Sequence, residues 1–250
     1  MGLRYQENMK VPFELCDVNS NIKYPLLLDY CLSVSGRQSA GLGRSNNDLL
    51  AMYGLIWIVT DYQVSIKRLP RFKEIITIET ETLAYNKLFC YRKFRVYDEN
   101  QVLLVDILAY FALLDPNTRK VALITEELVT PFKVDFVKRV QRSPKMHPLE
   151  NPINRDYYVR YFDIDMNGHV NNSKYLDWMY DVLGYAFLKE HQPVSLTLKY
   201  IKEVSPGGHI TSSYQLDHLT SYHQITSDGH LNAQAIIEWQ NQPKTESEID

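Results

Sequence analysis

The sequence predicts an α+β protein in which one pattern is laid down twice. Three observations carry this. Strand, long helix and several antiparallel strands follow one another over residues 1–130, and the same order returns over residues 156–240. Between them, PFKVDFVKRVQRSPKMHPLENPINR, residues 131–155, holds four prolines and a cluster of basic residues, which reads as a linker. The two halves can also be laid on each other, Asp17-Val-Asn-Ser-Asn21 on Asp163-Ile-Asp-Met-Asn167 and Ile66-Lys-Arg-Leu69 on Ile201-Lys-Glu-Val204.

In the first half, residues 8–16 read as a strand and Asp17–Asn21 as a turn. A helix starts near Pro25, which suits a first helical position, and stops at Gly41, a residue suited to a helix C-terminus. A short helix is expected over Asn47–Tyr53. Leu55–Ile66, Glu74–Leu83, Phe89–Tyr97 and Val102–Leu114 have strand composition and turn-type boundaries. In the second half, Tyr157–Phe162 reads as a strand, Asp163–Asn171 as a turn and residues 173–189 as one helix. Tyr175, Trp178, Met179, Val182, Leu183, Ala186 and Phe187 supply that helix with an apolar stripe, and Pro193 lies just beyond its end. Val194–Ile201, Ile210–His218, Ser221–Thr226 and Leu231–Trp239 are further strands, and residues 241–250 form a polar tail.

Composition narrows the function. A net charge of -3 over 250 residues argues against a general nucleic-acid binder. Cys16, Cys31 and Cys90 are an odd number without CxxC spacing, which suits a reducing compartment rather than a disulfide framework or a zinc site. The start MGLRYQENMK has no apolar signal core, Gln6 breaks the myristoylation pattern, and the longest apolar run, Ile107–Leu114, is too short to span a bilayer. A cytoplasmic protein without stable membrane insertion is expected. Gly41-Leu-Gly43 lacks the third glycine of a nucleotide loop, and His209, His218, His223 and His230 lack metal-ligand spacing. No metal or organic cofactor is expected.

Chemistry concentrates at Asp163–Trp178, DIDMNGHVNNSKYLDW, where carboxylates, an amide and an imidazole stand just before the patterned helix. Polar groups this dense need partners or a task. Asp163 reads as a turn residue, since short acidic side chains bond local backbone. His169 and Glu203 distinguish the second half: the first has no matching His and carries Arg68 opposite Glu203.

Asp165-Met-Asn167-Gly-His169-Val-Asn-Asn172, followed by Leu198-Lys-Tyr-Ile-Lys-Glu203, resembles the acyl-acyl carrier protein thioesterases of bacteria and plant plastids. Trp57-Ile-Val-Thr60, Leu69-Pro70, Glu74-Ile-Ile-Thr-Ile-Glu-Thr80 and Asp115-Pro-Asn-Thr-Arg119 resemble the same family's N-terminal half. The resemblance implies a tandem hot-dog fold, each half a long helix wrapped by an antiparallel sheet. It places the acyl pocket in the first module, with Leu26, Leu27, Leu28, Tyr30, Val34, Trp57 and Val59 as pocket or core residues. It also implies hydrolysis of fatty acyl-acyl carrier protein to free fatty acid, with Asp165, Asn167, His169 and Glu203 as the catalytic set. Many plant members have Cys after that Glu; Val204 stands there in this chain, so a carboxylate mechanism is favoured.

Thioester hydrolysis needs an oriented water or nucleophile and a stabilised oxyanion. Glu203 is expected as general base or direct nucleophile, tuned by burial. Asn167 is expected to hold the water or carbonyl, His169 to position the water or protonate the leaving thiolate, and Asp165 to orient the His. Amides near Asn171–Lys174, at a helix start, would meet the carbonyl oxygen. Carrier proteins of this family are acidic, so docking would use a local basic patch, either Lys67, Arg68, Arg71 and Lys73 or Lys138, Arg139, Arg142 and Lys145. The alternatives are another hot-dog enzyme, an acyl-CoA thioesterase or a dehydratase, and a non-catalytic acyl-binding module. Either a monomer or a homodimer fits a duplicated chain.

Overall fold

A computed structural model describes residues 2–141 and 143–243. Arg142 of the second basic cluster, and the tail beyond residue 243, lie outside them. The chain forms two compact units, Met1–Pro144 and Lys145–Asp250. The division falls inside the expected linker, but much of that linker belongs to the units themselves.

The first unit opens with β1, Arg4–Lys10, earlier than expected. Phe13–Leu15 is a 3-10 turn rather than a strand end, because Pro12 has no N–H to give a sheet. Helix α1, Tyr24–Gly41, carries Pro25 in its first turn and buries Leu27, Leu28, Cys31, Val34 and Gln38 along one stripe. Helix α2, Asn46–Tyr53, is closed by a capping box in which the Ser45 hydroxyl accepts from the Asp48 N–H and the Asp48 carboxylate accepts from the Ser45 N–H. Strands β2, Ile56–Ile66, β3, Ile75–Tyr85, β4, Cys90–Tyr97, and β5, Leu103–Asp115, follow the sequence reading closely. Asp98 turns β4 into β5 by accepting from the Asn100 and Val102 amides at 2.9 and 2.8 Å. The strands run antiparallel in the order β1-β3-β4-β5-β2. Short β6, Lys120–Ala122, adds to β5. A brief helix, α3, Glu126–Val129, follows, and β7, Asp135–Phe136, pairs parallel with β3. Residues 135–137 are therefore sheet-bound. Helix α1 packs against β3 and β1, and the sheet residues Ile76, Ile78, Phe94, Val105 and Ile107 are buried, each side chain contributing about 1.5–3 kcal/mol on burial.

The second unit starts at β8, Ile153–Tyr158, and a 3-10 turn at Tyr161–Asp163 replaces the expected strand end. The helix expected over residues 173–189 is two helices, α4, Asn172–Asp181, and α5, Tyr185–Glu190. Gly184 between them adopts φ 85°, which ends the first helix. The buried stripe accordingly stops at Val182, and Ala186 is exposed. Strands β9, His191–Tyr200, β10, His209–Asp217, β11, Thr220–Ser227, and β12, His230–Asn241, complete an antiparallel sheet ordered β8-β10-β11-β12-β9. Pro193 lies within β9, where the register with β12 slips between Glu238 and Trp239, a bulge that needs no N–H from it. Among the described residues, no helix is long and apolar enough to cross a membrane.

Candidate active site

The turn between β8 and α4 is built by Asp165. Its N–H donates to the His169 carbonyl at 2.8 Å, and its carbonyl accepts from Gly168 N–H at 3.0 Å. One carboxylate oxygen, Oδ1, accepts from the Asn167 amide at 2.8 Å and the His169 amide at 3.2 Å. Gly168 takes the left-handed position, φ 80°, that lets the chain reverse there. Asp163 performs a separate task. It is buried, and its carboxylate accepts the Arg160 N–H at 2.8 Å, the local backbone role expected of it.

This turn delivers His169 to Glu203. The imidazole Nδ1 lies 3.2 Å from Glu203 Oε2, in a pair whose side chains are 39% and 45% exposed. The burial expected of Glu203 is absent. Asn167, also exposed, donates its side-chain amide to Asp165 Oδ2 at 3.3 Å. Asp165 holds the backbone on which His169 sits; the contact that orients the ring comes from Glu203. All four expected residues are thus linked, but in the order Asn167–Asp165–His169–Glu203 rather than with Asp165 on the imidazole.

The helix start is less open to a carbonyl oxygen than expected. The Asn171 N–H donates to the Asp163 carbonyl at 2.8 Å, the Ser173 N–H to Asn171 Oδ1 at 3.0 Å, and the Lys174 N–H to the Asn171 carbonyl at 3.0 Å.

Glu203 follows β9 and is fixed through its backbone. The buried Asn232 side chain donates to the carbonyls of Lys202 and Glu203, each at 3.2 Å, and accepts the Ser227 hydroxyl at 2.9 Å. The Asn232 carbonyl accepts the Ile201 and Lys202 amides at 2.8 and 3.1 Å. Beyond Glu203, the Val204 N–H donates to the Tyr175 hydroxyl at 3.0 Å. Burial pushes that phenol up to about 12, so it stays protonated. Sequence reasoning placed Tyr175 in the core stripe and passed over Asn232. An isolated Asn among the small and apolar residues of LNAQAII was the available signal.

Cysteine chemistry is not offered. Burial raises the thiols of Cys16, Cys31 and Cys90, the last to about 12, and a thiol so raised is a poor nucleophile. Among the described residues, no group of three or more His, Cys, Asp or Glu could hold a metal ion. The first basic patch is partly spent, because Arg68 pairs with Glu74 at 2.6 Å and Asp98 at 3.6 Å. Lys67, Arg71 and Lys73 are exposed, as are Lys138, Arg139 and Lys145.

Comparison with known proteins places the chain in a family and a fold. The acyl-ACP thioesterase N-terminal domain matches residues 2–132 and the C-terminal domain of the same family matches residues 146–241. An assigned oleoyl thioesterase of Lactobacillus plantarum is 31% identical in a structural match covering 97% of this chain and 98% of that one, with a TM-score of 0.91. An acyl-ACP thioesterase of Bacteroides thetaiotaomicron shares the fold at 18% identity, TM-score 0.84, over 95% of this chain and 98% of the other. A chloroplastic acyl-[acyl-carrier-protein] hydrolase of Cuphea viscosissima is 27% identical over 73% of this chain and 46% of its own length. The chain spans about half the length of the curated plant relatives it matches. The fold is the tandem hot-dog of these structures.

Proposed function

The chain belongs to the acyl-ACP thioesterase family, and on that premise we propose that it hydrolyses fatty acyl-acyl carrier protein to free fatty acid and carrier thiol. The observation that carries this reading is the 3.2 Å contact between His169 and Glu203. An acid–base pair of this kind can take a proton from water and return one to a leaving group.

Water attacks the thioester carbonyl carbon while Glu203 takes its proton. The oxygen charge that develops is met by the side-chain amide of Asn167. Glu203 passes that proton across the 3.2 Å contact to His169 Nδ1, and as the carbon–sulfur bond breaks the ring gives its Nε2 proton to the departing thiolate, leaving Glu203 a carboxylate and His169 neutral. Asp165 contributes by holding the amides of Asn167 and His169, and thereby both side chains, on one rigid turn. No cysteine of this chain takes part in these steps.

The acidic carrier would be met by lysines and arginines not already neutralised, for which Lys67, Arg71 and Lys73 qualify better than Arg68. Glu203→Gln preserves shape and removes the base. Its kcat on acyl-carrier substrate should fall about 10²–10⁴-fold while acyl-carrier binding is retained. Turnover within threefold of wild type would remove Glu203 from the chemistry.

A further inference from the structure

The two units can be registered bond by bond. In the first, Lys67 N–H donates to the carbonyl of Leu104 at 2.9 Å, as Ile201 N–H does to Asn232. Leu104 is the extra residue of a bulge, since β5 pairs Val105 with Val96 but Leu103 with Tyr97. Asn232 is the extra residue of the matching bulge, since β12 pairs Ala233 with Ile225 but Leu231 with Thr226. Further along, Glu74 N–H donates to the Arg71 carbonyl and Val11 N–H to the Glu74 carbonyl. The Gly208 and Val159 amides repeat those bonds to Ser205 and Gly208. Counting between these fixed points sets Leu69 opposite Glu203 and Pro70 opposite Val204. Arg68, expected opposite Glu203, falls opposite Lys202. The shared turn sets Asp17 against Asp165, two residues beyond the Asp163 that letter similarity paired with it, and Leu27 opposite Tyr175.

Three buried leucines, Leu27, Leu69 and Leu104, thus stand in the first unit where Tyr175, Glu203 and Asn232 stand in the second. Two of these polar residues bond backbone immediately at the third. Tyr175 takes the Val204 N–H, a group that Pro70 does not have. Asn232 spans the carbonyls of Lys202 and Glu203. A bulge re-aims a side chain out of strand alternation, and here it turns an amide inward onto the peptide carrying Glu203. Architecture alone does not require either polar group, because the other unit makes the same turn with leucines.

We propose that Asn232 and Tyr175 are positioning residues that clamp the Glu203 peptide from both sides and hold its carboxylate at His169. The proposal rests on Glu203 being the base, and it predicts effects on rate rather than on substrate binding. A displacement of about 1 Å at a catalytic group can cost about 100-fold.

The test replaces Asn232 by the first unit's residue, Asn232→Leu, and separately removes one oxygen with Tyr175→Phe, which keeps the core ring. Each variant is also made with Glu203→Gln. Expected are a kcat loss of about 10–100-fold with KM within about twofold, and less than about twofold further loss in the Glu203→Gln background. Amide hydrogen exchange across Tyr200–Val204 should rise at least about tenfold in both variants while the rest of the sheet stays protected. Equal losses in both backgrounds would mean a general structural role and overturn the clamp, and so would unchanged exchange. If Asn232→Leu does not fold, Tyr175→Phe carries the same readouts. The exchange arm needs no substrate, so a wild-type protein inert towards acyl-carrier thioesters would overturn the assigned reaction without touching the clamp.

Discussion

The turn at Asp17–Ile22 and the turn at Asp165–Val170 are one structure with two outcomes. Asp17 N–H bonds the Asn21 carbonyl as Asp165 N–H bonds that of His169, both at 2.8 Å. Asp17 Oδ1 accepts the Asn19 and Asn21 amides, and Asp165 Oδ1 accepts those of Asn167 and His169. Ser20 and Gly168 occupy the same left-handed position. Even the exception is informative: Pro12 has no N–H to satisfy, whereas the matching Arg160 has one and Asp163 accepts it. The Asp of the motif is therefore a turn-builder in both units. What separates the units is Asn21 against His169 and Leu69 against Glu203.

Exchange of those residues breaks the comparison most sharply. His169→Asn gives the second turn the first turn's residue and should lower kcat about 10²–10⁴-fold. Asn21→His, the reverse exchange, should leave kcat within about twofold. Single-turnover hydrolysis measures both, and a large loss from Asn21→His would mean that the first turn shares in the chemistry.

Removing the carboxylate from either turn separates structure from function. Asp17→Ala and Asp165→Ala each release two backbone amides and should each cost about 1–2 kcal/mol in denaturant unfolding. Only Asp165→Ala should also lower kcat, about 10–100-fold, through a looser His169.

A third contrast lies in the sheet cores. His223 is buried in the second unit where register sets Phe94 in the first. Trp239 Nε1–H donates to the Ser221 hydroxyl, which stands 2.8 Å from His223 Nε2. Burial pushes the imidazole down to about 3. The unfolded chain then binds a proton below about pH 6.5 that the native state refuses, so stability falls as pH drops from about 6.5 towards 3. At pH 5 the loss is about 2 kcal/mol relative to neutral pH. His223→Phe, the first unit's choice, should remove that part of the slope, as urea titrations at pH 7 and pH 5 would register. An unchanged slope would contradict a neutral buried imidazole.

Much of this was legible in the sequence. The strands from Ile56 to Asp115 and the helix from Tyr24 were readable because composition, turn residues and boundaries agreed. Asp165, Asn167, His169 and Glu203 were readable as a set from the motif, and the structure links them. Their inner connections were not, because a motif gives spacing and not which atom faces which. The break at Gly184 was missed because an apolar stripe ran past it, and stripe outweighed a single glycine. The placement of Arg68 opposite Glu203 followed letter similarity between Ile-Lys-Arg-Leu and Ile-Lys-Glu-Val; hydrogen-bond register shifts it by one. Asn232 was hidden for a related reason, since a bulge moves a residue off the alternation by which burial is read.

The central claim is that Glu203, held beside His169, is the base of a thioester hydrolysis. Single-turnover release of fatty acid from a purified acyl-carrier substrate, wild type beside Glu203→Gln at matched binding, tests it directly. The account predicts rapid release by the wild type and a loss of about 10²–10⁴-fold in the variant with carrier affinity intact. Equal release by the two proteins would contradict it.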